Sequence, residues 1–163
     1  MSVSHLLKGT TSNLMIYRPG PKAEYLQVNN SKLSAEKRVE GQNGVFIVNF
    51  FLNHQSKQVC AIVHKRTGLC ITSNQNDEYN IQFTDQIADL DDKLIKLEPN
   101  DDRFFFFTEI NGSWLFKAEN KPDTYLTIED GKALLVQAKD PENDSPGAFL
   151  KILNADNHPD TIY

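Results

Sequence analysis

Cysteine is nearly absent from this 163-residue chain, with Cys60 and Cys70 the only two. Two thiols are too few for a disulfide framework, and their apolar flanks read as reduced, structural cysteines. Long apolar runs are missing as well. Nothing approaches the roughly 20 consecutive apolar residues of a membrane helix, so no insertion into a bilayer is expected. Positive charge is in short supply, with 17 Lys and Arg against 22 Asp and Glu for a formal net charge of −5. Nucleic acid and anionic membranes are held mainly by positive charge, so neither is expected as a partner. The opening stretch MSVSHLLKGTTSNLM has no basic region followed by an apolar segment. A product made in the cytosol without a signal peptide is the expectation.

Reactive constellations are equally sparse. His5, His54, His64 and His158 are scattered, without the His-x-Glu, His-Glu-x-x-His or Cys-x-x-Cys spacings that ligate a metal. The acidic stretch DLDDKLIKLEPNDD (89 to 102) places Leu94 and Asn100 where a calcium loop needs Gly and Glu. The eight glycines are dispersed, so no phosphate-cradling loop forms. The expectation is a protein with no catalytic residues, no metal and no cofactor. Three Asn-x-Ser sequons, at Asn29, Asn111 and Asn143, matter only to a chain passing through the secretory pathway and read as chance matches to a short motif.

What the chain has in abundance is strand signal. Short β-branched and aromatic runs alternate with Gly, Pro, Asn and Asp clusters: LMIY (14 to 17), EYLQV (24 to 28), VFIVNFFL (45 to 52), VCAIV (59 to 63), LCIT (69 to 72), YNIQF (79 to 83), FFFFTEI (104 to 110), SWLFKA (113 to 118), TYLTIE (124 to 129), KALLVQ (132 to 137) and AFLKIL (148 to 153). With a weak strand near Lys32 to Ala35, about twelve are predicted. Helical spacing is confined to QIADLDDKLIKLE (86 to 98), where Ile87, Leu90, Leu94 and Leu97 share a face. One or two helical turns are predicted there, stopped by Pro99.

The strands come in a repeated order. Segments starting at Asn13, Val59 and Ser113 each give an apolar strand, a Gly or Pro turn, a second strand anchored by Tyr25, Leu69 or Tyr125, a tight Asn/Asp/Gly turn and a third strand. A Phe-rich fourth strand follows each. Three four-strand units predict an all-β chain folded as a β-trefoil of about twelve strands with a pseudo-threefold repeat, in preference to a β-sandwich, because the turn chemistry recurs in the same order. A closed barrel also keeps so many apolar strands soluble, since it has no open edges. One domain is expected over residues 1–153, followed by a polar tail, 154–163, expected to be disordered.

Fold alone does not decide function. The single Trp114 follows Gly112 and Ser113, so the Gln-x-Trp motif of ricin-type lectins is missing, and no basic cluster suits a heparin-binding growth factor. From Glu24 to Leu153 the chain instead resembles the interleukin-1 family of cytokines. The resemblance rests on YLQVNNSKL, GVFIVNFFL, RTGLCITSNQNDEYNIQF and, most specifically, DDRFFFFTEINGSWLFKAENKPDTYLTIEDGKALLV. That last stretch is similar to the family's Arg-Phe-x-Phe strand, its Phe-Glu-Ser-Ala strand and its Pro-Gly-x-Phe/Tyr hairpin. Here the latter two appear as Phe116-Lys117-Ala118-Glu119 and Pro122-Asp123-Thr124-Tyr125-Leu126. YLTIEDGKALLV is closest to the interleukin-33 and interleukin-18 branch, and YLQVNNSKL to the interleukin-1 and receptor-antagonist branch.

The resemblance implies a monomeric, non-enzymatic signalling ligand, agonist or antagonist, released from the cytosol by an unconventional route. Its implied partners are an immunoglobulin-like interleukin-1-family receptor ectodomain and an accessory receptor chain. The alternative is an intracellular or carbohydrate-binding trefoil without receptor activity. Contact residues implied by the resemblance lie in three loops: Arg18 and Lys22; Asn53, His54, Gln55 and Lys57; and Lys139, Asp140, Glu142 and Asn143. Arg103, Lys65 and Arg66 are weaker candidates, because exposed charges often contribute little. The resemblance also makes Phe104 and Phe106 the inward pair of RFFFFTEI. Phe105 and Phe107 would then face outward under a lid of Leu94 and Leu97, because leaving a phenylalanine in water forgoes roughly 1.5–3 kcal/mol.

Overall fold

The structure is a computed structural model that describes residues 2–39, 41–76, 80–87 and 94–157. Its strands are β1 (Val3–Arg18), β2 (Glu24–Asn29), β3 (Lys32–Glu36), β4 (Phe46–Leu52), β5 (Gln58–His64), β6 (Leu69–Gln75), β7 (Ile81–Asp85), β8 (Leu94–Leu97), β9 (Phe105–Ile110), β10 (Ser113–Ala118), β11 (Thr124–Glu129), β12 (Lys132–Gln137) and β13 (Lys151–Asn154). A single helical turn, α1 (Pro141–Asp144), and two short 3-10 turns complete the described elements. Every named pairing is antiparallel.

Six strands close a ring. β1 pairs β4, β4 pairs β5, β5 pairs β9, and β9 pairs β10. β10 reaches the last strand through the Trp114–Leu150 bridge, with N···O distances of 2.7 and 3.0 Å, and β13 returns to β1. Closure leaves the ring strands without a free edge. Three hairpins, β2–β3, β6–β7 and β11–β12, stand off this ring. Each is joined to it in the same way, by the pairs Tyr17–Tyr25, Val63–Cys70 and Lys117–Tyr125. The hairpins also meet one another, through Lys132–Ser34 and a bond from the Leu135 amide to Gln75 Oε1. This all-β arrangement is compatible with a β-trefoil.

The turns explain why the β2–β3, β11–β12 and β9–β10 connections are tight. Asn30 and Ser31, Asn111 and Gly112, and Asp130 and Gly131 all carry positive φ, the requirement of a two-residue turn that matches strand twist. Small polar residues and glycine tolerate that backbone where β-branched residues do not.

The two largest of four apolar clusters among the described residues follow from side-chain alternation. The main one fills the interior with residues from the ring and all three hairpins, including Ile16, Leu26, Phe46, Cys60, Ile62, Ile71, Phe105, Phe116, Leu126, Ile128 and Leu150. A second lies on the outer face of β4 and β5 and gathers Phe51, Val59, Ala61, Val63, Cys70, Ile87 and Phe104. Its cover is the N-terminal half of β1 and β8, which bring Leu7, Ile95 and Leu97 onto it.

Several expectations are corrected here. Residues 94–97 are a strand, not part of a helix, because backbone pairing with Val3–Leu6 outweighs the helical spacing of four leucines and isoleucines. Leu90 and Tyr79 lie outside the described residues. The first strand begins at Val3, eleven residues ahead of the apolar run LMIY, and its polar middle is held by pairing with β4. Alternation in the phenylalanine run is opposite to expectation: Phe105 and Phe107 face the main core, while Phe104 and Phe106 join the second cluster. Phe104 and Phe105 are both fully buried. Leu97 does cover one pair of rings, but it is the Phe104 and Phe106 pair, and Leu94 is 56% exposed. Of the polar tail read over 154–163, Asn154 ends β13 and Ala155 is buried against Met15, Val39 and Val45. Residues 158–163 lie outside the described residues.

Candidate binding surface

The three loops singled out from the resemblance do not share one site. Arg18, at the end of β1, is half-buried and donates from Nη1 to the Ile128 carbonyl at 2.9 Å. Lys22 is exposed and borders a separate shallow groove with Glu24, Glu36, Lys37, Arg38 and Asp130. Neither residue reaches the other two loops' groove.

The turn between β4 and β5 has a rigid base and an open tip. Asn53 is 6% exposed, and its Oδ1 accepts the Gln55 and Lys57 amides, both at 2.9 Å. Its Nδ2 donates to Glu119 Oε2 at 2.9 Å. Asn53 is therefore a turn-forming residue, largely buried at the base of the loop; an Asx side chain that binds the backbone two residues on builds such a turn. His54, Gln55 and Lys57 are exposed around it.

Glu119 ties this turn to the N-terminal strand. Both its oxygens lie near the buried His5 Nε2, at 3.2 and 3.3 Å. The His5 ring stacks on Phe104 at 4.1 Å and meets Phe51 edge-on at 6.4 Å. Nothing in the sequence marked His5 or Glu119, because the two are 114 residues apart and meet only in the fold.

The third loop holds Lys139, Asp140, Glu142 and Asn143, all exposed, on and beside α1. Asn143 Nδ2 donates to Asp140 Oδ2 at 2.7 Å, and Pro141 sits in the first turn. Folding carries Asp140 and Glu142 to the same groove as Lys57, a space of about 680 Å³. Its floor is apolar, with Phe106, Phe107, Ile110, Leu115 and Tyr125, and Lys117 stands on the rim. The Lys57 ammonium lies 5.9 Å from the centre of the Phe106 ring, within reach of a cation–π attraction. His54, Gln55, Lys139 and Asn143 do not line it. The floor residues went unassigned as site residues; the signal that could have found them was the phenylalanine run, since Phe106 and Phe107 are the two rings left half-exposed.

The weaker candidates are held in place by neighbours. Arg103 grips Asp101 with Nη2 at 2.6 Å and Nε at 2.9 Å, and donates to the Asp85 carbonyl at 3.0 Å. Burial pushes the Asp101 carboxyl upward, but the hydrogen bonds and charge of Arg103 outweigh it and hold the acid below its ordinary range. Arg66 Nη1 donates to Asn43 Oδ1 at 2.8 Å, and Lys65 to Asn13 Oδ1. Cys60 and Cys70 are free and buried. Burial raises both thiols, Cys70 to about 12. Among the described residues no group of three His, Cys, Asp or Glu is placed to hold a metal ion, and no helix is long and apolar enough to cross a membrane. A scan against protein-family models and a search of curated proteins each found no match to the chain.

Proposed function

We propose that this chain is an interleukin-1-family-like cytokine, a signalling ligand for an immunoglobulin-like receptor ectodomain and an accessory receptor chain. Support comes first from the sequence resemblance over residues 24–153, carried on an all-β arrangement compatible with a β-trefoil. The observation that carries the reading is the groove: Lys57 on one loop and Asp140 and Glu142 on another, far apart in sequence, border one apolar floor. An apolar centre with a polar, charged rim is the anatomy of a protein-recognition site. In this reading the ligand acts as a monomer outside the cell after unconventional release, and does no chemistry on its partner. Phe106, Phe107 and Tyr125 supply contact area, while Lys57, Asp140 and Glu142 set orientation and association rate.

The test is surface plasmon resonance of the purified chain against a panel of interleukin-1-family receptor ectodomains, followed by a cell reporter assay. Saturable binding to at least one ectodomain is expected. The double charge reversal Lys57→Glu with Glu142→Lys should weaken it by about tenfold or more, a loss of about 1.4 kcal/mol. Absence of binding across the panel overturns the reading, and a reproducible glycan-array signal in its place would favour a carbohydrate-binding module.

A further inference from the structure

The chain contains two Asn-Gly pairs, Asn43-Gly44 and Asn111-Gly112, and the fold treats them oppositely. A glycine after asparagine removes the Cβ that would shield the next backbone nitrogen, which lets the asparagine side chain close on its own main chain. Whether it does so depends on how firmly the pair is held.

Asn43 is held at three atoms. Its Nδ2 donates to Asn29 Oδ1 at 2.8 Å, its Oδ1 accepts Arg66 Nη1 at 2.8 Å, and its carbonyl accepts both His64 Nε2 and the Val28 amide at 2.9 Å. Gly44 is buried with Val39 packed so close that an added Cβ would lie 2.5 Å from Val39 Cγ1. The side chain cannot swing without breaking these bonds and moving Val39.

Asn111 and Gly112 form the two-residue tip between β9 and β10, with φ of 51° and 80°, and both are exposed. Among the described residues, no hydrogen bond fixes the Asn111 side chain; the one side-chain contact at the tip is Lys151 Nζ donating to the Gly112 carbonyl at 3.0 Å. Hairpin tips open locally at little free-energy cost, so the rotation that closure requires does not need the barrel to unfold.

We infer that Asn111 is a self-modification site: it deamidates in the folded protein, while Asn43 is protected by the fold. Hydroxide removes the Gly112 amide proton, and the nitrogen attacks Asn111 Cγ. The Cγ–Nδ2 bond breaks and ammonia leaves with a proton from water, giving a succinimide. Water then opens the ring at Cγ to aspartate or at the main-chain carbonyl to isoaspartate. The net change is one water consumed and one ammonia released, with no oxidant or partner enzyme. The product places a carboxylate beside Lys151, and the isoaspartate route lengthens the backbone at the turn by one carbon. The adjoining Ile110 lines the apolar groove, so ageing alters that groove's edge; this last consequence rests on the groove being a binding surface, whereas the chemistry does not.

The experiment incubates the full chain in mildly alkaline buffer and follows tryptic peptides 104–117 and 39–57 by mass spectrometry, with isoaspartate detected by methyltransferase labelling. In native buffer the 104–117 peptide should gain the amide-to-acid mass at least about tenfold faster than Asn43 in the other peptide, a barrier difference of about 1.4 kcal/mol or more. In concentrated urea the two rates should converge, because both sites are then simply asparagine before glycine. Asn111→Gln should abolish the gain in 104–117 and leave 39–57 unchanged. Equal native rates at the two sites, or a ratio that persists in urea, would overturn the assignment.

Discussion

The interior cluster and the cluster outside β4 and β5 use the same kinds of residue but are sealed differently. The interior draws on the ring and on all three hairpins, so its walls are closed on themselves. The outer cluster has the barrel wall on one side and, on the other, among the described residues, the first half of β1, the four-residue β8 and Ile87. β5 separates the two and is buried on both faces, with Cys60 and Ile62 pointing in and Val59, Ala61 and Val63 pointing out. The difference teaches that the first core is enclosed by the ring and its hairpins, whereas the second depends on the N-terminal half of β1 and on β8 being laid over the outer face of the ring. Local opening should therefore begin at the outer cluster, where the cover has few partners.

The phenylalanine run crosses this boundary and gives the largest test. Phe105→Ala removes a fully buried ring from the interior and should cost about 3–5 kcal/mol in urea unfolding. Phe106→Ala removes a half-exposed ring at the groove and should cost less than half as much. Equal losses would erase the distinction between the two faces of β9.

The two thiols report on the two cores separately, since Cys60 lies in the interior and Cys70 in the outer cluster. Burial raises both, so neither is reactive as the native thiolate at pH 8, and labelling requires opening. Cys70 should label faster than Cys60 under native conditions, with Cys60 following global unfolding. The same shifts set a pH dependence. A neutral buried thiol stabilises the fold fully below its ordinary pKa of about 8.5; that contribution is lost as pH climbs towards about 12, the folded value for Cys70. Loss of stability on that alkaline side, reduced by Cys70→Ala, is the expected titration. Faster labelling at Cys60 would invert the order of opening.

His5 is the pin of the outer cover. His5→Ala loses its bond to Glu119 and its stack on Phe104, which should cost about 1–3 kcal/mol by leaving Glu119 with one fewer partner. The discriminating readout is local. Cys70 labelling should accelerate several-fold, while Cys60 labelling changes only as far as global stability does.

These contrasts also mark what the sequence revealed. Most strand positions and the tight turns were legible because each rests on local chemistry: alternation, β-branched residues and Asn, Asp or Gly at positive φ. The weak strand expected near Lys32 to Ala35 is present for that reason as Lys32–Glu36. The strand at 94–97 and the polar half of β1 were not legible, since the first is set by pairing with Val3–Leu6 and the second by pairing with β4 and β8. Alternation fixes that Phe104 and Phe105 point to opposite faces, but it cannot say which face is the interior when both are buried. For the site, the loops at 53–57 and 139–145 were found as loops. Their convergence on one groove, and the separation of Arg18 and Lys22 from it, needed the closed ring.

Asn53 gives the smallest effect and the cleanest division between turn and surface. Its side chain satisfies two backbone amides and one carboxylate oxygen, so Asn53→Ala should cost about 1–2 kcal/mol, near the worth of a lost cap. Gln55→Ala, two residues on and exposed, should stay within about 0.5 kcal/mol of the parent. Thermal denaturation of the two variants measures the contrast directly. If Gln55→Ala destabilised as much as Asn53→Ala, the tip of the loop would be part of the scaffold, and the only sequence-implied contacts at the groove's edge would be Lys57, Asp140 and Glu142. If Asn53→Ala were neutral, the turn would be held by pairing of β4 with β5 alone, and Asn53 would return to the set of residues free to serve a partner.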